Sequence, residues 1–403
     1  MNNTTVKHQN NLLLYIILIF CFEPRLFVKY EVINWIYIIG AVVSFVVMIG
    51  KYYRRREPVS AMLALVVLYR LSFFFQTLSV GGDITMWGYF SIILMTFCMT
   101  TTYYMKRNVL NYLRCVTNVL ALMLTINLVT TFLFPEGIVD NLYFIGIRTR
   151  FTDVIFPLIT ISLVCDYLAH KRIGMKSVYI IAVSLLTISR AWIATAIVGC
   201  LVYIVSLWLF TKLSKRVKLR ALLTVIVVTG CVVNLLVLSG VLTKMAAWFI
   251  EDVLHKSLTL SGRTEIWEIA IDIVLKKPLF GYGMFENGGF VYWGYKGGEL
   301  SYWQAHNQWL QIMHDGGLLM TGLFIGIIFL GLGQLKKIAS PKVKGIFLAA
   351  IAAFMVMMIT EIYAYTPYLY LLFFVAYNAD AMSAVLKKDE LCYENRADCR
   401  LQQ

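Results

Sequence analysis

The stretch SYWQAHNQWLQIMHDGG, residues 301–317, places His306 and Asn307 where a polar segment gives way to a long apolar run. A histidine there titrates near neutral pH and can take a proton from a hydroxyl, as general-base catalysis requires. Asn307 beside it can hold a hydroxyl or a sugar. His314 follows about two helical turns later, and the DGG after it reads as a helix interruption. Of the other histidines, His8 and His170 fall on the opposite side of the chain's pattern, and His255 has no polar neighbourhood of its own. Four arginines share the histidine's side: Arg190 in TISRAW, Arg263 in SGRTEIW, and Arg148 and Arg150 in IGIRTRFTD. A planar guanidinium pairs with phosphate through two parallel hydrogen bonds, so converging arginines suit a diphosphate. The competing reading of Arg190 and Arg263 is a pair of anchors snorkelling at a membrane interface.

The elements that must carry these residues are membrane helices. The chain of 403 residues is 60% hydrophobic and only 14% charged, against about 25% charged for a soluble domain. Apolar runs near 12–28, 32–50, 59–79, 84–104, 110–134, 151–169, 175–189, 191–211, 220–240, 307–334, 345–361 and 366–386 predict about twelve transmembrane helices, and an all-α integral membrane protein. The net charge of +14 follows topology. Inner loops carry 18 Lys/Arg and the short loops between them on the other side carry 5, the positive-inside pattern. Both termini are therefore expected in the cytoplasm, and nucleic acid is not an expected partner. The first residues lack a cleavable signal pattern.

The whole chain, 1–403, reads as one polytopic domain with a short cytoplasmic tail at 387–403. Residues 241–306 form one large external loop, long enough to carry helices and function. Within it TEIWEIAIDIVLKKP, 264–278, puts Ile266, Trp267, Ala270, Ile271, Val274 and Leu275 on one face. Thr264 is the expected cap and Pro278 the stop. AAWFIEDVLHK at 246–256 reads similarly. The glycines of 278–299 lack the strand and lysine of a phosphate loop and read as a lid hinge. Aromatics there and beyond, including Tyr282 and Trp303, suit stacking on sugars or lying in the lipid interface. The 37 residues from 175 to 211 must reverse at about Ser189–Arg190, because one helix would be nearly two membranes long. Arg70, the deepest arginine, is expected to pair with Asp153. Six of the eight cysteines lie in or beside spans, and no spacing suggests a disulfide framework or a metal site.

TISRAW, then SGRTEIW with KKPLFGYG, then AHNQWL with GGLLMTG together resemble the O-antigen ligase/polymerase superfamily, over about 187–330. That resemblance implies a glycosyltransferase of the GT-C-like kind in the bacterial cytoplasmic membrane, acting on its outer face without metal or cofactor. It implies an undecaprenyl-diphosphate-linked oligosaccharide as donor and a glycan as acceptor, amid membrane lipid, with a flippase and a chain-length regulator as further partners. By the family pattern Arg190 and Arg263 hold the diphosphate and His306 is the base. Arg150 is a looser match. The form of the motifs favours a polymerase of capsule or exopolysaccharide type over an O-antigen ligase. A flippase or transporter is the reading from another class, and the folded external loop argues against it.

Overall fold

The computed structural model describes residues 11–79, 81–82, 84–245, 247–253, 262–283 and 304–387. His255 and the whole aromatic-rich stretch 284–303, Trp303 included, lie outside the described residues. The chain forms α1 (Leu12–Cys21), α2 (Glu31–Arg55), α3 (Ala61–Leu71), α4 (Phe74–Ser79), α5 (Ile84–Met105), α6 (Val109–Leu133), α7 (Phe151–His170), α8 (Met175–Ala191), α9 (Ala194–Leu213), α10 (Leu219–Leu238), α11 (Val241–Met245), α12 (Arg263–Lys276), α13 (Gln308–Gly333), α14 (Pro341–Met357) and α15 (Pro367–Tyr377). Among the described residues there is no strand, only an isolated bridge between Val139 and Leu142.

Among the described residues, eight helical segments are long and apolar enough to cross a membrane, or nine if the bent pair Pro367–Tyr377 and Ala379–Lys387 forms one span. The expected twelve is not reached by this measure. At 17 residues each, α8 and α14 fall just short, and α1 has 10. The outer helices expose apolar side chains such as Val32, Ile36 and Val43 on α2 and Ile204, Val205 and Trp208 on α9. In water such faces would be costly, whereas beside lipid tails they need no covering. The interior is built from α7, α13, α14 and α15, whose side chains are mostly fully buried. This is an all-α membrane protein.

Local chemistry sets the joints. Ser60, Asn108 and Ser340 each accept a backbone N–H to cap α3, α6 and α14. The reversal after α8 comes at Trp192, in the left-handed region with φ 49°, two residues beyond the expected Ser189–Arg190. On α12 the buried face is Ile266, Trp267, Ile269, Ala270 and Val274. Leu275, expected on that face, is 70% exposed. Gly262, with φ 81°, precedes the helix, so Arg263 opens it and Thr264 lies inside without capping.

The DGG and GYG motifs explain each other. Inside α13, Gly317 departs from helical geometry (φ 63°, ψ −157°) and breaks the hydrogen-bond ladder. The freed groups are taken up by the stretch after α12. Tyr282 and Gly283 donate to the carbonyls of His314 and Asp315, and Leu318 and Leu319 donate to those of Pro278 and Leu279. A Cβ on Gly317 would lie 2.4 Å from the Leu279 backbone, and one on Gly281 2.4 Å from the His314 carbonyl. The glycines of 278–283 therefore serve close backbone approach, not the hinge read from sequence.

Candidate active site

The site lies at the end of the bundle where α13 begins. Three segments meet there: the start of α7, the N-terminus of α12, and the loop of residues 358–366 between α14 and α15. Asn307 caps α13, its Oδ1 accepting from the N–H groups of Trp309 and Leu310. Its amide nitrogen donates to Asn234 Oδ1 at 2.7 Å and to the Ile359 carbonyl at 3.0 Å. Both acceptor sites and both donors are used and the residue is fully buried. The expected hold on a substrate hydroxyl is thus corrected to a structural one. Gln308 fixes the same joint, accepting from Tyr363 and Ala364.

One residue before the cap, His306 sits at φ 47°, a left-handed conformation uncommon for a side chain with a Cβ. It is held there on both sides. Ala305 donates to Gln311 Oε1, and its carbonyl accepts from Trp267 Nε1 of α12 at 3.0 Å. The buried face of α12 therefore places the histidine.

Around His306 stand two arginines. Arg263 forms an ion pair with Glu361 at 2.6 Å, the carboxylate being 1% exposed. Arg150 donates to Gln304 Oε1 at 3.1 Å, to the Ile362 carbonyl, and lies 3.8 Å from Asp153. The Gln304 amide nitrogen in turn lies 3.2 Å from His306 Nδ1. Because Arg150 can only donate, the Gln304 oxygen faces it and its NH2 faces the histidine, which assigns the lone pair to Nδ1 and the ring proton to Nε2. Burial, then the charges of Arg263 and Arg150, push the His306 pKa down to about 4. The imidazole is neutral at physiological pH. Burial holds the Glu361 carboxyl above the usual carboxylate range, with Arg263 and Arg150 opposing.

The remaining expected residues are placed elsewhere. Arg190 ends α8 exposed, its guanidinium 5.7 Å from the Phe132 ring. No hydrogen bond or ion pair joins it to Arg263 or His306 among the described residues, although Thr195 just beyond the reversal meets Thr360 at 3.2 Å. Arg148 is engaged in its own loop, bonding Tyr143 and the Pro135 carbonyl. Tyr282 is buried, stacked on His314 at 5.4 Å, its hydroxyl donating to the Ile273 carbonyl. That ring face is not open to a sugar. Arg70 does not pair with Asp153. It bonds Ser91 and the Trp87 carbonyl, while Asp153 faces Arg150. Glu361 and Gln304 were missed by sequence reasoning. An acidic residue at the edge of an apolar run was the only signal for Glu361, and Gln304 carried none.

A neutral histidine between two guanidinium groups at the mouth of a helix bundle is an arrangement suited to facing a polyanion and taking up a proton. The family model described as O-antigen ligase matches residues 176–325. That match bears out the resemblance to the O-antigen ligase/polymerase superfamily over a stretch that is less than half of the chain. The matched stretch contains Arg190, Arg263 and His306 and leaves Arg150 and Glu361 outside it. No curated protein matches the chain at a significant level.

Proposed function

We propose that the protein is a polysaccharide polymerase of the bacterial cytoplasmic membrane. It transfers a glycan from undecaprenyl diphosphate to an acceptor sugar hydroxyl on the outer face, with both termini in the cytoplasm. The observation that carries this reading is His306, neutral and basic at Nδ1, held beside Arg150 and Arg263. In the reaction the acceptor hydroxyl takes the place of the Gln304 amide at Nδ1 and gives up its proton there. Its oxygen attacks the anomeric carbon, and the bond from that carbon to the diphosphate breaks with the electron pair leaving on oxygen. Arg263 stabilises that developing charge, with Arg150 as a further donor. Arg263 exchanges its ion pair with Glu361 for the diphosphate as the donor binds.

Purified protein incubated with an undecaprenyl-diphosphate-linked repeat unit should give a ladder of products. A single transfer to a lipid or protein acceptor would instead support the ligase reading. Movement of the lipid-linked glycan across a vesicle without any new glycosidic bond would support the flippase reading. On the polymerase reading, a flippase supplies the donor and a chain-length regulator limits the product.

A further inference from the structure

Beside the site, and sharing Arg150 with it, a cavity of about 330 Å³ opens among α1, α2, α5, α7 and the start of α15. Its size is at the small end of ligand sites, about 300–1,000 Å³. Its polar end is formed by Glu23, Arg25, Tyr89, Arg150 and Asp153, and Tyr368 is part of its wall. Both carboxylates are under-used. The Tyr89 hydroxyl donates to Glu23 Oε2 at 2.5 Å, but Glu23 Oε1 is buried with no hydrogen-bond partner among the described residues. Asp153 is 3% exposed, and its Oδ1 is likewise without one. A buried acceptor of this kind costs free energy until a donor arrives.

The charges decide the ligand's class. Two guanidinium groups and two carboxylates offset each other, so a diphosphate placed here would meet as much repulsion as attraction. A neutral polyhydroxyl ligand instead donates to Glu23 and Asp153 and accepts from Arg25 and Arg150. Aromatic walls suit the apolar faces of a sugar ring. We infer that this cavity is the subsite for the acceptor glycan, holding the sugar whose hydroxyl passes Arg150 to reach His306. The inference rests on the polymerase reading for the role of that sugar, while the binding itself is independent of it.

The test uses the full-length protein in lipid nanodiscs and the repeat-unit oligosaccharide released from its lipid by mild acid. Equilibrium binding should be saturable and should weaken roughly tenfold in Glu23→Gln, which removes one charged acceptor while keeping one for Tyr89. Val28→Trp, at the exposed rim of the cavity, should block binding without touching any charge, and it decides the matter if Glu23→Gln does not fold. Farnesyl diphosphate, a prenyl diphosphate without sugar, should not displace the oligosaccharide. Displacement by it would overturn the inference in favour of a lipid-tail groove. No binding, or equal binding by wild type and Val28→Trp, would overturn it as well. Oligosaccharide binding without any polymer from the donor would sink the polymerase reading and leave the subsite standing.

Discussion

Arg263 and Glu361 stand 98 positions apart in the chain and meet at 2.6 Å, the arginine opening α12 and the carboxylate lying between α14 and α15. A guanidinium at a helix N-terminus is disfavoured by the helix dipole, and Glu361 offsets that cost. On the proposed mechanism the carboxylate also keeps the guanidinium aimed until a diphosphate replaces it.

Arg263→Lys keeps the charge and loses the planar fork. Polymer formation by the purified variant should fall at least tenfold with normal membrane abundance. Full activity would return Arg263 to a structural role. Glu361→Gln should retain donor binding but lose much of the turnover, because the guanidinium is no longer drawn into one orientation. Isothermal titration with the lipid-linked donor, beside a product assay, separates the two effects.

His306→Ala should lower the rate by about 10²–10⁴, the usual contribution of a positioned base. His306→Gln should be nearly as inactive, since it can hydrogen-bond but not take up a proton. Recovery in the Gln variant would reduce His306 to a group that orients the acceptor.

The pH profile follows from the histidine's surroundings. With its pKa pushed down to about 4, the base stays free well below the ordinary value of 6.5. The acid limb of kcat/KM should therefore lie near pH 4, not 6.5. A bound diphosphate offsets the two arginines and favours the imidazolium, so the limb of kcat should sit at higher pH. Gln304→Glu puts a carboxylate beside Nδ1 and should move the kcat/KM limb upward by a unit or more. The sign for stability is the same. Between about pH 6.5 and 4 the unfolded chain binds a proton that the folded protein refuses, so stability falls as pH falls through that window. A kcat/KM limb at 6.5 in the wild type would contradict the burial of the ring.

Asn307→Ala removes a helix cap and strands the Asn234 amide oxygen. The loss should be about 2 kcal/mol or more, from a cap worth about 0.5–2 and a buried orphan costing about 1–3. It should appear as a lower thermal midpoint in detergent, with acceptor KM unchanged in whatever protein remains folded. A raised KM at unchanged stability would restore Asn307 to the substrate.

Topology has its own test. Cysteine at Glu251 should react with a membrane-impermeant thiol reagent on intact cells, and cysteine at Lys215 should not, above the labelling of the unaltered chain. The opposite pattern would move the whole site to the cytoplasmic side.

The sequence alone determined the membrane class, because an excess of apolar residues over lengths of about 20 has few other physical outlets. It also brought out Arg263, His306 and the amphipathic α12, since helical spacing and an isolated charge beside an apolar run are local signals. What it left undecided is which partners each polar group finds. Asn307 looked like a substrate contact and proved to be a cap, because Asn234 and the Ile359 carbonyl reach it only through packing. Arg70 and Asp153 looked like a pair and took separate partners, Arg70 on the neighbouring α5 and Asp153 at Arg150, three residues before it. DGG was legible as a helix interruption, but its pairing with GYG was not, since each serves the other's backbone across the fold. Glu361, Gln304 and the cavity at Glu23 depend on segments hundreds of residues apart arriving at one end of the bundle. Local sequence sets where a helix begins and which face is apolar. Only the packed tertiary structure decides which charge stands beside the histidine, because hydrogen bonds are settled by distances that no local spacing encodes.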